Sequence, residues 1–261
     1  MRTMHPRRFG PIAVVAALAA VLMMTGCGSP GLASPPPRPD AVDPALSEAA
    51  DRFGIELLRA VYDQRPDANL LLSPASAWVI LSLAANGARG ETQREMLAAL
   101  GYGDAEMGAV NAHMRDVWGI MANPGRGVKL TAANAVWHHR DFAVVPAFRE
   151  VAAKQYGAEV LSTTFGRPEA AAAINRWVAR RTRDRITDLI DRTYAEQRMA
   201  LVNALHFKGE WQEPFDPDRT EPGPFRRPDG SEVQVEFMHQ TETFGYLAEE
   251  GLVGVRLPYG E

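Results

Sequence analysis

The sequence predicts an α+β fold, and two observations carry that expectation. Helical periodicities fill the first half of the chain and short β candidates the second, and strand and helix alternate only loosely, unlike the regular succession of a parallel α/β sheet. With 46% hydrophobic and 23% charged side chains over 261 residues, the chain has ample material for a core and none of the bias of a disordered or fibrous sequence. It contains no internal repeat.

Before the folded body comes a leader. Arg2, Arg7 and Arg8 precede an apolar run from Ile12 to Met24 and then small residues, the pattern of a secretory signal over residues 1–26, too short to favour a spanning helix. Leu22-Met23-Met24-Thr25-Gly26-Cys27 resembles the lipobox of bacterial lipoproteins, with Met24 in place of the usual leucine; the resemblance implies that Cys27 is lipidated and becomes the first residue of the exported protein. The alternative is a plain secretory peptide beside a stray cysteine. Cys27 is the only cysteine, so no intrachain disulfide can form and packing alone must hold the fold. Removing residues 1–26 takes away three arginines and no acid, leaving 25 basic and 32 acidic side chains, a formal charge of −7 that argues against a nucleic-acid partner. Residues 27–45 are rich in Pro, Gly and Ser and read as an extended tether, with the body over residues 46–261.

Asp43 and Pro44 read as an N-cap and first-turn proline, followed by Leu46, Ala50, Phe53, Leu57 and Val61 at helical spacing. Asn69 to Leu72 is a short strand candidate. Ser73-Pro74 opens a second helix, apolar nearly all round and therefore expected to be buried, ending at Asn86-Gly87. A short helix closed by Gly101 follows, then one striped by Met107, Val110, Met114, Val117 and Met121, where Met and Trp118 read as core. Val128 to His138 is a long strand with apolar or small residues on both faces, which suits the centre of a sheet. Pro146 to Gly157 bounds a helix, EVLSTTF is strand-like, and Pro168 opens the helix bearing Ile174, Trp177 and Val178. The segments EVQVEFM and LVGVRLP are later strands, with a turn at PDG, 228–230.

The most informative stretch is LVNALHFKGEW, Leu201 to Trp211. At a period of two, Met199, Leu201, Asn203, Leu205 and Phe207 share one face, which is apolar apart from its central asparagine. A buried asparagine costs about 1–3 kcal/mol if its hydrogen-bonding positions stay empty, so Asn203 calls for polar neighbours. On the apolar second helix the polar side chains are Ser73, Ser76 and Ser82. Taken singly, Ser73 is a plain N-cap and Ser76 a small core residue.

Five collinear blocks resemble the serpins: NLLLSPASAWVILSLAANGARGETQREMLAAL (69–100), NAVWHHRDFAVVPAFREVAAKQYGAEVLSTTF (134–165), INRWVARRTRDRITDLI (174–190), LVNALHFKGEWQEPFDP (201–217) and FMHQTETFGY (237–246). The resemblance implies the serpin fold, a multi-helix N-terminal half with a large mixed main sheet and further β-sheets. It implies that Ser73, Ser76 and Asn203 meet beneath the main sheet in the region called the shutter, and that Trp211 lies at the top of that sheet, the breach, where an inserted loop first enters. Phe207, Phe215 and Tyr246 are expected in the core. The implied activity is inhibition of serine proteases, in some cases cysteine proteases: the target cuts an exposed loop, which inserts as a new strand before the acyl-enzyme hydrolyses. No catalytic residue, cofactor or metal is implied, and the expected state is a monomer whose only membrane contact is a lipid on Cys27, on the cell surface or, without the lipid, secreted.

The chain ends in LPYGE at a turn after a strand candidate, whereas the family continues with further strands, a shutter histidine and the reactive loop. The expectation is thus a fragment of a longer protein, or an interrupted gene, lacking the C-terminal third, whose target cannot be read. An enzyme is disfavoured because there is no G-x-S-x-G and Ser73-Pro-Ala-Ser76 is not S-x-x-K. His138 and His139 are adjacent on a strand, point to opposite faces and cannot easily share a metal; they read as surface residues beside Arg140. The competing reading is a surface-anchored, non-inhibitory binding or structural domain of the same fold.

Overall fold

The computed structural model describes residues 33–66 and 68–260. The signal over 1–26 and Cys27 lie outside the described residues. The helices are α1 (Pro44–Gln64), α2 (Pro74–Ala85), α3 (Gly90–Ala99), α4 (Met107–Ala122), α5 (Pro146–Tyr156) and α6 (Pro168–Thr182). The strands are β1 (Val128–His139), β2 (Ala158–Thr163), β3 (Met199–Gly209), β4 (Glu221–Arg226), β5 (Glu232–Phe237), β6 (Gly245–Glu249) and β7 (Leu252–Arg256). Helices precede most of the strands, the α+β order that the periodicities predict.

Local chemistry sets the boundaries. Four helices begin on a proline, whose missing N–H is no loss in a first turn. Asp43 caps α1, its carboxylate accepting from the Ala45 N–H at 2.9 Å. Helix α5 stops at Gly157, which is left-handed (φ 56°) and lies so close to the Trp118 indole that any side chain would collide with it.

The main sheet runs β2-β1-β3, with β1 central, parallel to β2 and antiparallel to β3. Both faces are covered. Ala133, Ala135 and Trp137 of β1, with Ala200, Val202 and Ala204 of β3, meet Ile174, Trp177 and Val178 of α6. The four alanines let the helix and its tryptophan approach closely. On the opposite face Val136, Met199 and Leu201 join the core built by α2, α4 and α5 around Trp78, Leu83, Met114 and Tyr156. Strands β4–β5 and β6–β7 are separate antiparallel hairpins, the first turning through Asp229-Gly230 as expected.

Several expectations fail. Asn69 to Leu72 forms no strand, and Leu71 is 97% exposed, because no described strand lies beside it to pair with its backbone. Phe207 and Tyr246 are not core: they are 47% and 67% exposed, and the Tyr259 ring, 5.0 Å from that of Phe207 between centroids, covers Phe207 only in part. Ala75 and Leu81 of the largely covered α2 are also open. His138 is not a surface residue. It is buried, its Nδ1 donating to the His139 main-chain oxygen at 2.9 Å and its Nε2 accepting from Arg149 at 2.9 Å.

Candidate functional site

The site is best built outward from Asn203. Its period-two neighbours Met199 and Leu201 face the α2 core, so its amide points to that same side. In the β1–β3 register Asn203 stands opposite Asn134, and its Nδ2 donates to Asn134 Oδ1 at 2.7 Å. Asn134 is buried and passes the contact on, its Nδ2 donating at 2.8 Å to the main-chain oxygen of Tyr156, one of the acceptors left over at the end of α5.

From Tyr156 the polar path enters the helices. Its hydroxyl donates to Asn111 Oδ1 of α4 at 2.8 Å and accepts from Asn86 Nδ2 at 3.1 Å, while Asn111 Nδ2 donates to Asn86 Oδ1 at 2.8 Å. Beside it the hydroxyls of Ser82 and Tyr102 lie 3.2 Å apart. Burial pushes both tyrosine hydroxyls to higher pKa, so they remain protonated donors. A chain of amides and hydroxyls thus connects the middle of the sheet to the ends of α2 and α5 and the body of α4. One atom in it is unsatisfied: Asn203 Oδ1 is buried and has no partner among the described residues.

Ser73 and Ser76 form a pair of their own at the start of α2, Oγ to Oγ at 2.9 Å. Ser73 occupies the N-cap position but caps nothing with its side chain, because its hydroxyl is engaged by Ser76. No hydrogen bond joins this pair to Asn203 among the described residues. The serines and the asparagine are brought to the same side of the sheet without forming one network.

Beyond the Gly209 end of β3, Trp211 stacks on Tyr259 with ring centroids 4.3 Å apart and meets the edge of Phe215 at 5.6 Å. The backbone closes the same contact: Gln212 N donates to Pro258 O at 2.9 Å and Gly260 N to Glu210 O at 2.8 Å. The LPYG segment, which reads in sequence as a turn with nothing to close it, therefore pairs with the chain leaving β3.

A family model described as serpin (serine protease inhibitor) matches residues 48–261. The chain belongs to the serpin family. The leukocyte elastase inhibitor of Sus scrofa is 31% identical over 220 residues, an alignment covering 82% of this chain and 58% of that protein. Among solved structures, Manduca sexta serpin-12 superposes with a TM-score of 0.75 at 27% identity, covering 81% of this chain and 60% of its own. Human thyroxine-binding globulin with its hormone gives 0.74 at 29% identity, covering 82% and 59%. This serpin chain spans about half the length of the curated relatives it matches, 48%, 58% and 55% of three of them.

Within this serpin frame, sequence reasoning located Asn203 but missed Asn134, Tyr156, Asn86 and Asn111. Asn134 carried a usable signal, a lone amide inside VKLTAANAVWH. The other three lie at the ends or on the polar sides of helices and become neighbours only through tertiary packing.

Proposed function

We propose that this chain supplies the main sheet, shutter and breach of a serpin that inhibits serine proteases by loop insertion, exported under the signal over residues 1–26 and held at the cell surface by a lipid on Cys27. The observation that carries the reading is the state of β3. Its far edge pairs with no described strand, and at its midpoint Asn203 Oδ1 is a buried acceptor awaiting a donor. A strand edge of that kind takes an added strand through main-chain hydrogen bonds. In this reading Ser73, Ser76 and Asn203 act as the shutter, with Asn134 as a fourth member, and Trp211 marks the breach. The target is a protease whose identity depends on a reactive loop that these residues do not include.

The test is incubation of the protein, isolated from its membranes, with serine proteases of trypsin and elastase type. A covalent complex that survives denaturing electrophoresis, at the summed mass of the two proteins, is the expected result. Cleavage of the chain with full recovery of protease activity would contradict it. That outcome would favour a non-inhibitory binding domain, a reading that rests on the similarity to thyroxine-binding globulin, whose structure holds thyroxine. An intact mass carrying a diacylglycerol on Cys27 tests the anchor separately.

A further inference from the structure

The segment ahead of α1 has no part in the inhibitory reading. It reads in sequence as spacer, yet the compact body begins at Ser34. Along the segment, exposure follows a three-residue period: Pro36, Pro39 and Val42 are half-buried, while Ser34, Pro35, Pro37, Arg38, Asp40 and Ala41 are exposed. Three residues per turn is the repeat of a polyproline II helix, the conformation that a P-P-P run favours. One face of such a helix is laid against the body.

The receiving surface is the C-terminal half of α4. A Cβ built on Gly119 would lie 2.6 Å from the Pro37 main-chain oxygen and 3.4 Å from the Pro36 ring, so the strap passes where a side chain would stand. Asn123, which ends the helix, donates Nδ2 to the Pro36 oxygen at 3.3 Å, and its own main-chain oxygen accepts from Arg38 Nη1 at 2.9 Å. Glycine is disfavoured inside a helix relative to alanine because it has more backbone freedom to lose. Gly108, in the same helix, has open space around it. Gly119 does not, and the three atoms nearest its Cβ position all belong to the strap.

We propose that residues 34–42 are a docking strap, and that the Gly119–Asn123 face of α4 is a receptor for a proline-rich polyproline II segment, occupied here by the chain's own. The docking is independent of the inhibitory reading and of the lipid.

The experiment compares Gly119→Ala with Gly108→Ala in the full chain, by urea denaturation and by the rate at which proteinase K nicks residues 34–42. If the strap docks, Gly108→Ala raises the denaturation midpoint, as alanine does at an open helical site, whereas Gly119→Ala lowers it. Nicking of the strap in Gly119→Ala is expected to be about tenfold faster, the signature of local release. A Gly119→Ala midpoint raised as much as that of Gly108→Ala, with nicking unchanged, overturns the proposal. Should Gly119→Ala fail to fold, Asn123→Ala leaves the strap sequence untouched and is read by nicking alone: about fivefold acceleration supports docking, and an unchanged rate overturns it.

Discussion

At the scale of single residues, the two asparagines of the central strands carry unequal loads. Replacing Asn203 by alanine breaks its bond to Asn134 and orphans Asn134 Oδ1, but it also removes the orphan on Asn203 itself, so one unsatisfied acceptor is exchanged for another. The net loss is one hydrogen bond, about 1 kcal/mol. Asn134→Ala forfeits two bonds and strands both the Asn203 amide and the Tyr156 carbonyl, for an expected loss of about 2–3 kcal/mol. Urea denaturation of the two variants should rank them in that order. His113 gives a pH signature. It is buried edge-on to Trp78, its Nδ1 without a partner among the described residues, and burial lowers its pKa against the smaller opposing pull of Asp116 and Asp43. The unfolded chain therefore binds this proton more readily than the folded one. The His113 contribution to stability is intact above its ordinary value near 6.5 and is lost as pH falls below it. Denaturation midpoints between pH 7 and 5 should fall less steeply in His113→Gln than in the parent chain.

Among the elements, α6 shows how a helix is fixed to a sheet by one side chain. Glu159 of β2 accepts from Trp177 Nε1 at 2.6 Å and from Arg181 Nε at 2.9 Å and Nη2 at 2.5 Å. Glu159→Ala leaves an indole N–H and a half-buried guanidinium without their acceptor, and should cost about 2 kcal/mol; Glu159→Gln, which keeps an acceptor and loses the charge, should cost about half as much. Hydrogen exchange of the α6 amides reads both. The sequence made this element legible, because Pro168 and the Ile174, Trp177, Val178 stripe mark its start and its buried face. Asn69 to Leu72 was misread for the opposite reason: its composition suits a strand, but a strand exists only beside a partner, and local sequence does not carry the partner. The same limit applies at the candidate site. Asn203 interrupts a face of large apolar residues, whereas Asn134 interrupts the face of Val128, Leu130, Ala132 and Val136 in a strand whose other face is also partly small and apolar, so its signal is present but weaker.

For the whole molecule, the exposed apolar surface and the unpaired edge of β3 belong to one account. Leu71, Tyr246, Val253 and Val255 are each more than half exposed, and among the described residues β3 pairs on one side only. The chain spans about half the length of the curated serpins it matches. The central claim is that β3 receives a strand when a protease cuts the protein. Hydrogen exchange along β3, measured on the protein before and after that cut, tests it most directly. The account predicts that amides over residues 201–207 exchange about tenfold more slowly after cleavage, as an open edge becomes an interior strand. Exchange along β3 that is unchanged in the cut protein would contradict it.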